Sequence, residues 1–124
     1  LETLGVPVIG YGTDELPGFF SSSTGLKLSA RVDRPEDLAA VWRAHRALGR
    51  TGAMLVVQPP PASDAVPVDV VESATQAALR AATAAGVRGA AVTPFLLAEI
   101  QQRTDGRSVR ANLALLEANA HLAG

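Results

Sequence analysis

The chain has 124 residues, enough for one domain and too few for two. Its formal charge is −1, with 11 basic and 12 acidic side chains spread singly, so no basic stripe exists to grip nucleic acid. There is no cysteine, which excludes disulfides and thiol catalysis and removes the commonest structural-zinc ligand.

No apolar run approaches the ~20 residues that a membrane-spanning helix needs, and no stretch reads as a signal peptide. The expected compartment is the cytoplasm, with neither membrane nor nucleic acid as partner. Hydrophobic residues make up 48% of the chain, which suits a globular or partly buried piece and not a disordered one. The chain starts at Leu1 and not at Met, which reads as a fragment, a processed product or an incomplete gene.

In chain order, the first element is an apolar run, Val6 to Tyr11, that stops abruptly in Gly12-Thr13-Asp14-Glu15. A strand surfacing into a loop reads this way, and in open α/β sheets such loops carry ligands. The following loop holds Phe19 and Phe20, two of three phenylalanines, beside the only tyrosine, Tyr11. So much scarce aromatic surface argues against a mere spacer. Lys27 to Val32 alternates polar and apolar residues and suits an exposed edge strand or a hairpin.

A helix is expected from about Arg34 to Leu48, with Asp33 and Glu36 as a capping box and Gly49 as a left-handed stop. Ala53 to Gln58 is the second buried strand, ended by Pro59-Pro60-Pro61, which cannot join a ladder. An Ala-rich helix should run from about Val68 to Ala85 before Gly86. A third helix should start with Thr93 as cap and Pro94 as its first residue, where the missing N–H costs nothing. A fourth runs from Ser108 to about Leu122.

Strand, helix, strand and helix form a βαβα unit, hence parallel pairing and a right-handed crossover. Both apolar strands should be covered on both faces. The expected class is α/β: a partial three-layer α/β/α fold with a small, mainly parallel sheet and about four helices. So small a sheet cannot cover its own faces, so the isolated chain should be poorly stable or aggregate. A cooperative thermal transition from a dilute monomer would refute that.

Several side chains could carry chemistry. Asn112 and Asn119 lie seven residues apart, on one face of the fourth helix, and Asn112 stands beside the apolar stripe. A buried carboxamide needs partners for its donors and acceptor. Either a polar ligand supplies them or the neighbouring backbone does, and the latter is the default from spacing alone. Thr13, Asp14 and Glu15 offer a carboxylate pair for acid–base work or a turn stabilised by the Asp side chain, the default for adjacent loop residues.

Ser21-Ser22-Ser23-Thr24-Gly25 could cradle a phosphate on backbone N–H groups, but lacks the Gly-Lys of a P-loop and reads first as a flexible polar loop. Lys27, the only lysine, sits in an exposed pattern and reads as a solvated charge, not as an imine-forming amine. His45 and His121 lack carboxylate partners at ligand spacing and read as surface or interface residues.

The run Leu1-Glu2-Thr3-Leu4-Gly5-Val6-Pro7-Val8 with Gly10-Tyr11-Gly12-Thr13-Asp14-Glu15-Leu16-Pro17-Gly18-Phe19 resembles the pseudouridine-5'-phosphate glycosidases, or indigoidine synthase A-like family. Arg31-Val32-Asp33, Val92-Thr93-Pro94-Phe95-Leu96-Leu97 and Asn112-Leu113-Ala114-Leu115-Leu116-Glu117-Ala118-Asn119-Ala120 resemble further blocks of it, in matching order. The likeness covers nearly the whole chain but only the C-terminal part of a family enzyme, so residues 1–124 are expected to be one portion of that domain.

The resemblance implies reversible cleavage of the C–C glycosidic bond of pseudouridine 5'-phosphate to uracil and ribose 5-phosphate, a step in nucleotide catabolism. It implies a lysine imine, a carboxylate for proton transfer, manganese held through an aspartate, and a homo-oligomer, a trimer in the family. None of the lysine, the carboxylate and the manganese ligand maps onto a position of this sequence; they are expected upstream. The family likeness makes Asn112 the expected substrate contact and leaves Asn119 structural.

Gln58-Pro59-Pro60-Pro61 departs from the family's usual Asn-Pro-x-Pro. The isolated chain is expected to show no turnover. The rival readings are a truncated, non-catalytic protein-interaction chain and a small sugar-phosphate-binding module.

Overall fold

Three short parallel strands run in the order β2-β1-β3, with β1 (Val8–Tyr11) in the centre, β2 (Ala30–Val32) on one edge and β3 (Leu55–Val57) on the other. The computed structural model describes every residue except Glu2 and Leu4, so Glu2 of the first family-like block lies outside the described residues. Ile9 faces Ala30 and Val56 in the two registers, and the ladder continues through Gly12 N–H to Val32 O (2.9 Å) and Leu55 N–H to Pro7 O (2.9 Å). Helix α1 (Pro35–Ala47) links the two edge strands and packs against β2. Helices α2 (Val68–Ala84), α3 (Val92–Arg103) and α4 (Arg107–Ala123) follow. The α/β class, the small parallel sheet and the four helices are as the sequence predicts.

The core does not lie where an α/β sheet would put it. The buried apolar cluster is Phe20, Val66, Ala74, Ala78, Ile100 and Ala111, flanked by Val70, Val71 and Leu96. It is a helical core, and Phe20 is the contribution of the loop after β1. Ala74, Ala78 and Ala82 fall four residues apart on α2 and are all buried. Small side chains at that spacing let α3 approach closely, and α2 against α3 is the most extensive helix pair. The expectation that both strands are covered on both faces holds only for β1. Val8 and Ile9 are buried, whereas Leu55 of β3 keeps 38% of its surface exposed.

The ends of the elements show which local signals prevail. Gly49 adopts φ 73° as the left-handed stop; its N–H and that of Arg50 donate to Arg46 O and His45 O, the paired bonds of a Schellman end. Gly86 ends α2 with the same pair of bonds, to Thr83 O and Ala82 O. The α3–α4 connection closes likewise with Asp105 (φ 50°) in the left-handed region that glycine usually occupies.

The capping box does not form. Arg34 takes the cap position of α1 without a side-chain bond, because Asp33 is drawn to Arg31, whose Nε (2.8 Å) and Nη2 (2.6 Å) both donate to its Oδ1. Nor does Thr93 cap α3. A 3₁₀ turn at Gly89–Ala91 leads into the helix at Val92, so Pro94 falls within the first turn, where its missing donor is still harmless.

Lys27 to Val32 divides in two. Ala30–Val32 is a parallel edge strand, while Lys27 pairs antiparallel with Glu15 in a separate bridge. Leu28 N–H to Asp14 O (2.9 Å) and Leu16 N–H to Leu26 O (2.8 Å) extend that bridge, so the segment after β1 folds back on itself like a hairpin before β2 begins. Both expectations for this segment therefore apply, each to a different half.

Candidate functional site

Chain direction in a parallel sheet puts all strand ends on one side, and loops there are free to carry polar groups. At that side stand Pro17-Gly18-Phe19-Phe20 after β1, Gln58 after β3, and one face of α4. Phe19 lines three clefts, and two of them also reach α4. One, of about 370 Å³, is lined by Phe19, Phe20, Pro94, Leu97, Ala98, Gln101, Ser108, Val109 and Asn112. The other, of about 260 Å³, is lined by Pro17, Gly18, Phe19, Val56, Val57, Gln58, Leu115 and Asn119. Phe19 keeps 61% of its surface exposed and is braced edge-on by buried Phe20, with ring centroids 4.6 Å apart.

The two asparagines of α4 differ in environment. Asn112 is half-buried in the larger cleft, and among the described residues its carboxamide has no hydrogen-bond partner. The backbone bond that would have made it structural is not formed. Asn119 is engaged: its Oδ1 accepts from Gln58 Nε2 at 2.7 Å, across 61 positions of sequence. Sequence reasoning noticed Gln58 only as a departure from a pattern. The available signal was its place, immediately after a buried strand and before three prolines that fix the exit of the chain.

The remaining candidates are occupied structurally. Thr13 Oγ1 donates to Glu15 O (2.8 Å) and accepts from Glu15 N–H (3.1 Å), so the turn is held by the threonine hydroxyl and not by the Asp14 side chain. Asp14 instead accepts from Arg31 Nη1 at 2.7 Å. Arg31, clamped by Asp33 first and Asp14 second, has its pKa raised further and stays a cation. It straps the β1 loop to β2, a role its sequence block did not disclose.

The serine run is tied down rather than open. Ser23 Oγ donates to Glu15 Oε2 and accepts from Gly25 N–H, and Thr24 Oγ1 donates to Leu16 O. Its hydroxyls therefore serve the fold-back.

Lys27 Nζ lies 2.9 Å from Glu15 Oε1 with 75% of the side chain exposed. The hydrogen bond to Glu15 raises the lysine pKa, opposite to the shift an imine-forming amine needs. Glu15 is pulled the other way, below its ordinary value, mainly by the Ser23 hydroxyl and then by Lys27.

His121 is exposed as expected, but His45 is not a surface residue. It is buried, donates from Nε2 to Gly52 O at 3.1 Å and stacks on Trp42, because the Gly49 turn swings the following backbone back over α1. A hollow of about 490 Å³ lies beside it between α1 and the segment entering β1. That hollow sits at the opposite end of β1 from the strand-end loops and is nearly all apolar, so the smaller strand-end clefts carry the candidate site. Among the described residues no group of three or more His, Cys, Asp or Glu could hold a metal ion, so they provide no donor set for manganese. Among them, too, no helix is long and apolar enough to cross a membrane.

A parallel sheet with polar groups of loop and helix gathered at its strand ends places the chain among the α/β proteins. The chain belongs to the family described as indigoidine synthase A like protein, which it matches over residues 1–124. It is 76% identical over 124 residues to a pseudouridine-5'-phosphate glycosidase of Gemmatimonas aurantiaca, covering all of this chain and 40% of that protein. It is 50% identical over 123 residues to one of Herpetosiphon aurantiacus, covering 99% of this chain and 41% of the relative. The chain thus spans about 40% of the length of the curated relatives it matches.

Two solved structures share the fold. The prealnumycin C-glycosynthase in complex with ribulose 5-phosphate aligns with a TM-score of 0.90 at 33% identity, over 99% of this chain and 40% of its own. An indigoidine synthase A-like protein of Thermotoga maritima aligns with a TM-score of 0.80 at 33% identity, with the same coverage.

Proposed function

We propose that this chain forms one wall of an enzyme that reversibly cleaves the C–C glycosidic bond of pseudouridine 5'-phosphate, with water, to uracil and ribose 5-phosphate. The observation that carries this reading is the 76% identity along all 124 residues to a pseudouridine-5'-phosphate glycosidase. The solved C-glycosynthase with ribulose 5-phosphate supports a sugar phosphate as one half of the ligand. Within the chain, Asn112 is the substrate contact. A carboxamide presents a donor and an acceptor side by side, which matches the N–H and C=O edge of uracil with two parallel hydrogen bonds.

Breaking a C–C bond needs an electron sink on the sugar, which an imine to a lysine provides. Lys27 does not suit that role, being exposed and raised in pKa by Glu15. This chain's own part is to bind and orient the base, and alone it should show no turnover. Manganese remains a proposed requirement of the reaction, with no donor cluster among the described residues to receive it. The proposed enzyme is a cytoplasmic homo-oligomer, expected as a trimer. Exposed Leu48, Leu113 and Leu116 support a surface that other protein covers.

The test is a chimera of the Gemmatimonas aurantiaca glycosidase in which these 124 residues replace the matching segment. Uracil release from pseudouridine 5'-phosphate with manganese should persist in the chimera and be absent from the chain alone. Asn112→Ala in the chimera should lower kcat/KM by roughly 10- to 100-fold, the loss of about two hydrogen bonds and the stranding of their partners. A folded chimera without turnover would favour the non-catalytic reading. An unchanged kcat/KM for Asn112→Ala would remove that residue from the site.

A further inference from the structure

Helix α4 is held unevenly. Its N-terminal turn is anchored by Ser108, buried and bonded to Thr104 Oγ1 through its hydroxyl (3.1 Å) and its N–H (3.2 Å), and by Ala111 in the helical core. Beyond Asn112 the helix is poorly packed, with Leu113 and Leu116 each more than half exposed. Among the described residues, the one side-chain hydrogen bond made by positions 109–123 of α4 is that of Asn119 with Gln58. Gln58 is a firm post for it. Its backbone leaves β3 directly into Pro59-Pro60-Pro61, where each ring fixes φ and the residue before a proline is itself restricted.

We infer that Gln58 is a positioning residue: its carboxamide clasps Asn119 and so fixes where Asn112, two turns earlier on the same helix face, stands over the cleft. The inference rests on the reading of Asn112 as the base contact. Seven residues at 1.5 Å rise put the two asparagines about 10 Å apart along the axis. Asn112 therefore lies between two restraints, the Thr104–Ser108 anchor and the Gln58–Asn119 clasp. With only the first, the helix beyond Ala111 tilts about the anchor, a motion largest at Asn119 that reaches Asn112 as a small reorientation of its side chain over the cleft. The length of the Gln58 side chain matters. Asn, the family's usual residue at this place, is shorter by one methylene, so against this chain's Asn119 it would open the 2.7 Å contact beyond hydrogen-bond reach.

The experiment is a length exchange. In the chimera, Gln58→Asn and Asn119→Ala should each raise KM for pseudouridine 5'-phosphate by about 3- to 10-fold, the loss of one partly exposed hydrogen bond. Their kcat should change by less than about 2-fold. The double variant Gln58→Asn with Asn119→Gln keeps the summed side-chain length and should recover most of the lost affinity. A merely structural contact would lower the denaturation midpoint in the single variants and leave KM unchanged.

In the same chimera, hydrogen–deuterium exchange of backbone amides at positions 113–121 should quicken by a similar factor in Gln58→Asn and slow again in the double variant. If Asn112→Ala leaves KM unchanged, the base-contact reading fails, while the exchange measurement still judges the clasp. Gln58→Asn acting equally strongly whether or not Asn119 is replaced would overturn the proposal, because Gln58 would then be touching substrate directly. Unaltered amide exchange in Gln58→Asn would overturn it as well.

Discussion

The helical cluster and the sheet of this chain solve the burial problem differently. Helices α2, α3 and α4 close around Phe20, Val66, Ile100 and a stripe of alanines, so their core comes entirely from this chain. The sheet does not close. Three strands of three or four residues leave Leu55 on the edge partly in water, and α1 covers little beyond β2. Phe20, whose carbonyl accepts from Val66 N–H (2.9 Å), and the Gln58–Asn119 hydrogen bond couple the two regions. The lesson is that one chain can hold a self-sufficient layer beside a layer that needs another surface, and the functional side chains lie where the two meet.

The comparison breaks most visibly at Gly10. A Cβ there would stand 2.1 Å from Thr13 O and 2.8 Å from Leu28 Cδ1, so the β1 loop could not fold back over its own strand. Gly10→Ala in the chimera should cost about 3 kcal/mol, read as a lowered denaturation midpoint, because the clash is with backbone that cannot swing aside. Gly52→Ala, with open space around the new methyl, should lie within roughly 0.5 kcal/mol of the parent. Equal effects at the two glycines would show that the fold-back is not fixed by close approach.

A second contrast separates the layers. In the isolated chain, Ile100→Ala opens the helical core and should abolish most amide protection in α2 and α3, a loss of about 3 kcal/mol at the site. Leu55→Lys should leave that protection unchanged, since the side chain is already partly wet. In the chimera, Leu55→Lys should become as damaging as Ile100→Ala. Protection lost equally in both single variants of the isolated chain would mean that sheet and helices fold as one unit.

The smallest effect is electrostatic. The Ser23 hydroxyl and Lys27 hold Glu15 below its ordinary pKa. Its contribution is therefore present above the unfolded value and lost as pH falls through the lower folded value, in the acid range below about 4.5. Lys27 is raised, so its share is complete below its ordinary value and lost only as pH climbs through the folded one. The fold-back should thus be insensitive between about pH 5 and 10. Lys27→Met should make the acid loss slightly smaller, as followed by exchange at Leu16 and Leu28, because Glu15 then loses one of the groups that lower its pKa, and the change is small because the pair is exposed and screened.

Much of this was legible along the chain because it is local. The apolar runs ending in Gly12 and Pro59, and the glycines that stop α1 and α2, act through their own backbone, and each appears where the pattern placed it. The strand after Lys27 was legible as an edge. The misses share one cause, competition by a residue brought in from elsewhere. Asp33 does not cap α1 because Arg31 outbids the helix for its carboxylate, and Asp14 does not hold the turn because the same arginine takes it. His45 is buried by a glycine turn that returns the backbone over it. Asn112 could be named from its helix, but whether its carboxamide was already spoken for depended on neighbours no spacing reveals.

The amino-acid order on its own determined the α/β class, the parallel pairing, the helix stops and the family, because periodicity, glycine conformation and proline geometry need no distant partner. Only the packed molecule decided that the core is helical, that Gln58 reaches Asn119, and that Asn112, beside Phe19, has no partner among the described residues. Those outcomes hang on contacts between residues tens of positions apart. A side chain's partner is then chosen by whichever group arrives within about 3 Å, a distance that only the folded backbone sets.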